Sequence, residues 1–390
     1  MREDWEYKKL EDISSSVLIE KAKKRFSPND VIRYIDISSI DNINQCLTGT
    51  TSFKMLDAPS RAQQKVEYGD ILISTVRPNL RNIAIVNDDA TNLVASSGFC
   101  VLRINDAALR RYVFYYVVSD KFTAYLEKLT NGANYPAVKE TDVRKALIPI
   151  PPKPTQLSIV TELDKLNELI RIKKEQLKDY DTLAQSIFYE MFGDPVVNEK
   201  GWEVMSFGDI GTLERGAGIS KKDFVEAGLP CVHYGQLHTT FGAYTRKNIT
   251  FIPKDLLPKY KIAYPGDLIL AITSEDVGGS CKSTAWLGDY DVVVGSDAAI
   301  FHHNQNGIYL SYYTRTKAFY NEKAKYAKGF KVTHISTKEI ASISICVPPL
   351  SIQNTFANKI EQIERQKTII QESITDLETL LASRMQYWFD

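Results

Sequence analysis

The sequence predicts an α+β protein made from one plan used twice. Each copy is a mixed α/β domain followed by a long heptad-patterned helix, and the two helices pair antiparallel with pseudo-two-fold symmetry. Three observations lead to this. Motifs recur at a constant separation of 197 residues, apolar residues recur every seven over two long segments, and turn residues alternate with short β-branched and aromatic runs elsewhere.

The duplication is carried by its landmarks. Trp5 and Trp202 each head a polar run that ends in Asp-Ile, at Asp12-Ile13 and Asp209-Ile210. Gly69-Asp70-Ile71-Leu72-Ile73 returns as Gly266-Asp267-Leu268-Ile269-Leu270, Gly132 as Gly329, and Pro151-Pro152 as Pro348-Pro349. Gln156 returns as Gln353, Ser186 as Ser383 and Phe192 as Phe389. A chance match drifts with every loop insertion, and this one does not. The segments that follow are a domain over 1–154, a helix over 155–194, a second domain over 195–350 and a second helix over 351–390.

Within each domain, a turn such as Tyr68-Gly69-Asp70 precedes a β-branched run, and aromatic stretches such as 112–116 recur. The first helix starts after the breaker Pro151-Pro152-Lys153-Pro154. One row of its seam is Leu163, Ile170, Leu177, Ala184 and Met191; the second is Leu166, Tyr180 and Ile187, interrupted by Lys173. It stops at Phe192-Gly193-Asp194-Pro195, where glycine suits a left-handed cap and proline forbids continuation. The second helix repeats this with Ile360, Ile374, Leu381 and Trp388 beside Ile363, Ile370 and Leu377, interrupted by Lys367 and Arg384. Ser351 is its expected N-cap. Each helix would run about 57 Å, and neither can bury its seam alone. Antiparallel pairing is expected over parallel, because short connections and the placement of each domain at the N-terminal end of its helix suit it; the two domains then sit at opposite ends with equivalent surfaces in opposite sense, the local symmetry of duplex DNA.

Composition limits the function classes. The chain is 44% hydrophobic and 25% charged, as a folded protein is. Its first residues are charged, and its longest apolar stretch, 112–118, falls far short of the ~20 residues that cross a bilayer. Five scattered cysteines without CxxC spacing argue against a disulfide framework or a zinc ribbon and fit a reducing cytoplasm. The net charge is zero, but it is unevenly spread. Residues 1–154 hold 22 basic against 19 acidic side chains and 195–350 hold 17 against 15, whereas the helical segments hold 5 against 8 and 4 against 6. The basic excess therefore sits in the domains, as nucleic-acid binding requires.

The richest basic stretch is 315–331, with Arg315, Lys317, Lys323, Lys325, Lys328 and Lys331 against Glu322 alone, interleaved with Phe319, Tyr320, Tyr326 and Phe330. Such residues neutralise phosphates, and the glycine in Lys328-Gly329-Phe330-Lys331 lets a loop approach a groove. The first copy offers Lys128, Asn131, Asn134 and Tyr135 there, asparagine being suited to adenine. Further candidates are Lys21, Lys23, Lys24 and Arg25, then Arg77 and Arg81 after the Gly-Asp strand, and Lys221 and Lys222 after Arg215-Gly216-Ala217-Gly218. Taken singly, each is as well explained as a solvated surface charge.

Enzymatic tools are missing. There is no dinucleotide or P-loop fingerprint, no H-E-x-x-H and no His/Cys set with metal spacing. His302 and His303 are adjacent, so on a strand they face opposite ways. The two Pro-Pro pairs lack the leading Asn or Asp of an adenine-methyltransferase loop, and no catalytic or metal-binding residue is expected.

Taken together, the duplicated domain, the Gly-Asp-Ile/Leu-Leu strand, the Pro-Pro-x-x-x-Gln entry (Pro151, Pro152, Gln156; Pro348, Pro349, Gln353) and the paired heptad helices resemble the specificity subunit of type I restriction–modification systems. The resemblance runs from Trp5 to Phe389. It implies a non-catalytic DNA reader with two target-recognition domains for a bipartite, asymmetric site, and two spacer helices that dock two modification subunits and, where present, restriction subunits. It also implies that S-adenosylmethionine, ATP and Mg belong to those partners, which methylate adenine and cleave DNA. Base-contacting residues do not carry over, because recognition loops differ between members. A self-contained methyltransferase or nuclease, and a coiled-coil scaffold that binds no DNA, are the alternatives. Methylation by the purified chain would favour the first; binding without salt dependence would favour the second.

Overall fold

Turn chemistry explains why the Gly-Asp signature occurs twice. In the computed structural model, which describes residues 5–15, 20–130, 136–219, 221–254, 260–327 and 333–389, Gly69 (φ 89°) and Gly266 (φ 102°) take the left-handed region. Each is the third residue of a tight turn that needs positive φ there. The Asp70 N–H donates to the Glu67 carbonyl at 3.1 Å, and its carboxylate accepts the Glu67 N–H at 2.9 Å. Asp267 makes the same two bonds to Tyr264, at 3.0 and 2.6 Å. Glycine supplies the conformation and aspartate locks it. The strands so launched, Ile71–Ser74 and Leu268–Ala271, are buried at every position.

The chain packs as two units, 1–174 with 372–390 (unit 1) and 175–371 (unit 2). In unit 1, Glu6–Lys9 pairs antiparallel with Leu147–Ile150. Ile71–Ser74 lies between Phe99–Leu102 and Ile83–Ile85, and a four-stranded sheet runs Thr51–Lys54, Val31–Ile35, Leu93–Ser96, Ala62–Lys65, its middle pair parallel. Unit 2 keeps the plan. Glu203–Ser206 pairs with Ser344–Val347, and Leu268–Ala271 lies between Ala298–His303 and Ser283–Trp286. A four-stranded sheet runs Thr250–Ile252, Leu229–Val232, Val292–Val294, Lys261–Ala263, again with a parallel middle pair. Unit 1 also has helices Ala107–Val117, Asp120–Leu129 and Glu140–Arg144; unit 2 has Gly307–Tyr313, Lys317–Ala324 and Thr337–Ala341.

The long helices are Lys153–Phe192 and Leu350–Phe389, 40 residues each. Ser351 is not the N-cap expected of it: the helix already includes Leu350, and the Pro349 carbonyl accepts the N–H groups of Ile352 and Gln353 at 2.9 and 3.2 Å. The Pro-Pro-x-x-x-Gln pattern has a local cause. The buried amides of Gln156 and Gln353 turn back and donate to the carbonyls of Pro151 (2.7 Å) and Pro348 (2.8 Å), satisfying acceptors at a buried helix entry.

The seam residues divide between the units. In unit 1, Leu163, Leu166, Ile170 and Ile374 are buried, and Leu377 and Leu381 half-buried. In unit 2, Ile360, Ile363 and Ile370 are buried, and Leu177, Tyr180 and Ile187 half-buried. The helices run antiparallel inside each unit. In unit 1, the Glu162 carboxylate accepts from Arg384 and, at 2.9 Å, from the Trp388 indole, while Lys174 meets Glu378 at 2.8 Å. In unit 2, Lys367 meets Asp181 at 2.7 Å and Phe356 meets Phe192 at 5.2 Å between ring centroids. Lys367 and Arg384, which interrupt the heptads, are thus neutralised from the facing helix.

The helix ends are also core residues of the domains, which is why the units cut through both helices. In unit 1, Phe389 packs on Tyr112 (5.4 Å) and Tyr116 (5.9 Å), and Trp388 stacks on Trp5 at 6.5 Å. In unit 2, Phe192 packs on Tyr309 at 4.7 Å, and the Trp202 indole donates to the Phe192 carbonyl at 2.9 Å. Tyr112 and Tyr309 then bond the carbonyls of Pro149 (2.8 Å) and Cys346 (2.6 Å). Phe389→Ala, at a site 1% exposed, is therefore expected to destabilise unit 1 by ~3–5 kcal/mol through lost burial and a cavity. Hydrogen exchange checks this: protection should fall on the strand Ile71–Ser74, far away in sequence, while Leu268–Ala271 keeps its own.

Candidate nucleic-acid interface

Each unit ties a hairpin loop to the chain that follows its second aromatic-rich helix. In unit 1 the loop 75–82 follows the Gly-Asp strand. The Thr75 carbonyl accepts the Val138 N–H at 2.9 Å, and the Arg77 N–H donates to the Pro136 carbonyl at 2.7 Å. In unit 2 the loop is 272–282. The Ile272 carbonyl accepts the Ile335 N–H at 3.1 Å, and Thr273–Ser274 pairs with Thr333–His334. The anchors are the same pair of positions in the two copies. Sequence reasoning missed this pairing, because no local signal joins residues some 60 apart.

The loops hold unusual backbone. Arg77 (φ 50°), Arg81 (φ 51°) and Cys281 (φ 56°) are left-handed without being glycine, at a cost of about 1–3 kcal/mol each. Arg81 and Cys281 each stand two residues before the strand that closes the loop. The contents differ. Unit 1 presents Arg77 and Asn79, both exposed, and Arg81 paired to Asp120; unit 2 presents Glu275, Asp276 and the glycines 278 and 279.

A second basic element stands before the strand that pairs in parallel. In unit 1, the buried Ala22 pins the turn Ala22–Arg25 to the four-stranded sheet, leaving Lys21, Lys23, Lys24 and Arg25 exposed. In unit 2, Lys221 and Lys222 are exposed on the turn Lys221–Asp223, ahead of Leu229–Val232. The two elements match by topology, although they are not aligned at the repeat spacing. Among the described residues these six side chains form no ion pair.

The basic stretch of the second copy is only partly a surface. Lys317 and Lys325 are exposed, Lys325 held at 2.6 Å by Glu322, an ion pair weak enough to exchange for phosphate. Lys323 is a correction. It is 3% exposed, and its ammonium donates to the carbonyls of Gly278 (2.9 Å) and Ser280 (2.5 Å), so it braces the loop 272–282 and cannot meet a phosphate. Burial holds its pKa below the usual lysine range. The guanidinium of Arg315 is likewise spent on the carbonyls of Ser283 (2.8 Å) and Gly242 (3.1 Å). Lys128 is exposed in the last turn of its helix. Asn134, Tyr135, Lys328 and Lys331 lie outside the described residues, as does Asn131.

The Gly-Asp aspartates have different partners. Asp70 receives a bidentate Arg103 at 2.8 and 2.7 Å; Asp267 receives His302 Nδ1 at 2.7 Å, and burial holds its carboxyl above the usual range. The neighbouring His303 accepts the Gln305 N–H at Nδ1, its Nε2 is buried without a partner, and burial pushes its pKa down to about 4. Among the described residues no group of three or more His, Cys, Asp or Glu side chains is placed to hold a metal. No helix there is long and apolar enough to cross a membrane.

A model of the type I restriction modification DNA specificity domain matches the chain twice, over residues 2–179 and 199–379. The chain belongs to this family. It therefore carries two type I DNA specificity domains, one per repeat. It is 23% identical over 390 residues to the MjaIX specificity subunit of Methanocaldococcus jannaschii, covering 92% of this chain and 87% of that protein. It is 26% identical over 194 residues to the HindI specificity subunit of Haemophilus influenzae, covering 49% of this chain and 41% of that protein. The match to the MjaVIII subunit spans 63% of that relative, so this and the HindI match cover less than two thirds of those proteins. A chain solved in work on complex assembly and conformational transition of the type I R-M system is 25% identical, with a TM-score of 0.61 and 99% of this chain covered (97% of that one). The type I system S subunit from M. genitalium, 12% identical, shares the fold with a TM-score of 0.54, covering 99% of this chain and 96% of that one.

Two predictions follow from the placement of these side chains. Replacing Lys23, Lys24 and Arg25 by alanine should flatten the slope of log affinity against log salt by up to ~3 units if all three meet phosphates, whereas Lys323→Met should lower stability and leave the slope alone. Anisotropy titrations across salt decide between them. For His303, a folded pKa near 4 lies below the ordinary 6.5, so the unfolded chain takes the proton first. Stability is then complete above pH 6.5 and falls as pH drops through 4, by up to ~3 kcal/mol. Melting of His303→Phe should show a flatter acid limb.

Proposed function

We propose that the chain reads a bipartite, asymmetric DNA target, one short half-site per domain, as the non-catalytic specificity subunit of a cytoplasmic type I complex. Two modification subunits dock on it, with restriction subunits where these exist. In this reading S-adenosylmethionine and the adenine-N6 methyl transfer belong to the modification subunits, and ATP and Mg to translocation and cleavage by the restriction subunits.

The observation that carries the reading is one loop framework used twice with unlike contents. Thr75 with Val138 and Ile272 with Ile335 anchor equivalent loops, yet one loop offers Arg77 and Asn79 and the other Glu275 and Asp276. Arginine suits guanine, asparagine suits adenine and a carboxylate accepts from cytosine N4, so unlike loops read unlike bases. The exposed lysines of the turns Ala22–Arg25 and Lys221–Asp223 supply the sequence-independent grip on phosphates.

Mapping N6-methyladenine in cells that carry the chain with its partners tests this. The expected target is two short, unlike sequences separated by a fixed, unspecified spacer. A palindromic target would contradict the reading of the two loops, and methylation by the purified chain alone would contradict the non-catalytic role.

A further inference from the structure

Each reading loop has a companion beside it, and the two companions are unlike. In unit 1, the strand Val31–Ile35 is followed by a hairpin, Ile40–Asp41 paired with Cys46–Leu47 across the tip 42–45. Its feet are rooted: Ile40 is buried, and Leu47 packs on the same core cluster. Its tip is tied to the loop 75–82, because the Asn42 amide donates to the Leu80 carbonyl at 2.9 Å. In unit 2 the corresponding strand, Leu229–Val232, leads instead to the helix Tyr234–Thr239. That helix is tied to the loop 272–282. His238 Nε2 lies 3.1 Å from the Thr273 carbonyl, and the Lys282 ammonium donates to the His238 carbonyl at 2.7 Å.

The hairpin tip turns the usual order of burial inside out, because its polar side chains are spent within unit 1. The Asp41 carboxylate accepts the N–H groups of Ile43 (2.9 Å) and Asn44 (3.0 Å) and the Asn44 amide (2.6 Å). These bonds, the Asn44 amide foremost, hold the Asp41 carboxyl below its usual range. The Gln45 amide donates to the Asn42 carbonyl at 2.8 Å from a left-handed backbone (φ 47°). What is left for solvent is Ile43, 78% exposed, more than any other large apolar side chain among the described residues. Leu80, the residue whose carbonyl takes the Asn42 bond, is 41% exposed. A lone exposed isoleucine is ordinary; one held rigid at the apex of a braced turn, beside a reading loop, is not. The companion in unit 2 exposes Thr239 and Thr240 and, over 234–245, no large apolar side chain.

We infer that Ile43 is a base-reading residue of unit 1, packing against the C5 methyl group of a thymine in the major groove. The neighbouring loop offers Arg77 and Asn79, whose side chains suit base edges in that groove, so a tip tied to this loop enters the same groove. The thymine methyl is the apolar group presented there, and packing it against Ile43 takes apolar surface of both out of water. Unit 2 has threonines on its companion and lacks this contact, so only one half-site gains a thymine preference of this kind. This rests on the reading above that each unit reads one half-site, and it adds a reader outside the loop 75–82.

The test uses the full chain assembled with its modification subunits, and duplexes that carry the target mapped by methylation. Each thymine of both half-sites is replaced in turn by deoxyuridine, which removes the C5 methyl and nothing else. With the unaltered chain, one replacement within one half-site should weaken binding about fourfold, as the loss of one buried methyl-sized group does. Ile43→Ala should weaken binding to the thymine duplex at least as much and abolish the response to that replacement. It should leave the salt slope alone, because no charge is removed. An Ile43→Ala complex that binds as tightly as the unaltered one, or that responds to the same replacements, would overturn the inference and leave half-site reading intact. So would an unaltered complex indifferent to every replacement. Loss of a modification subunit from the Ile43→Ala complex, seen by native mass spectrometry, would make Ile43 a protein contact and overturn the inference too. An unaltered complex that does not prefer the mapped target to a scrambled duplex would overturn the half-site reading as well.

Discussion

Phe389 and Phe192 are the residues on which the rest depends. Each ends a 40-residue helix, and each is buried against a tyrosine, Tyr112 or Tyr309, of the domain encoded by the other repeat. An aromatic side chain in such a site is worth several kcal/mol. The helix that carries Phe389 must therefore run back along the helix that begins at Lys153, and antiparallel pairing follows from the need to fill unit 1. The tyrosine hydroxyls extend the constraint to Pro149 and Cys346, beside the Pro-Pro helix entries. Core, helix direction and helix start are one packing solution, found in both units because the sequence is duplicated.

Around that fixed frame the loops are free to differ, and this links fold to function. The Gly-Asp turn fixes the strand that leads into each loop, and Thr75 and Ile272 tie the loop's first residue to the chain after the second helix. Within the loops, residues in costly conformations survive: Arg77 and Arg81 in one unit, Cys281 in the other. Strain of this kind persists only where surrounding structure over-determines it. The frame therefore supplies rigidity, and loop content supplies whatever is read.

Much of this was legible in the sequence where the cause is local. The heptads give the helices and their seam and Gly-Asp marks the turns, whereas the Gln pattern was visible without its cause, the buried amide that bonds back to a proline carbonyl. What was not legible depends on distant partners. Lys323 looks like its neighbours in a basic run, and only the carbonyls of Gly278 and Ser280 mark it as structural. Nor does the spacing show that Lys21–Arg25 and Lys221–Lys222 occupy one topological place, because loop lengths differ between the copies. Ser351 misled for a simpler reason: a good capping residue one position inside a helix is indistinguishable by type from a cap.

A domain is complete only when the end of a long helix from the other repeat fills its core. The fragment 1–194 keeps the first domain and its helix but lacks the segment carrying Phe389. Its own Phe192 is the equivalent residue, so two fragments can complete each other. Sedimentation equilibrium should show a folded dimer, and Phe192→Ala should dissociate it. A fragment that stays monomeric and melts as cooperatively as the full chain would contradict the account.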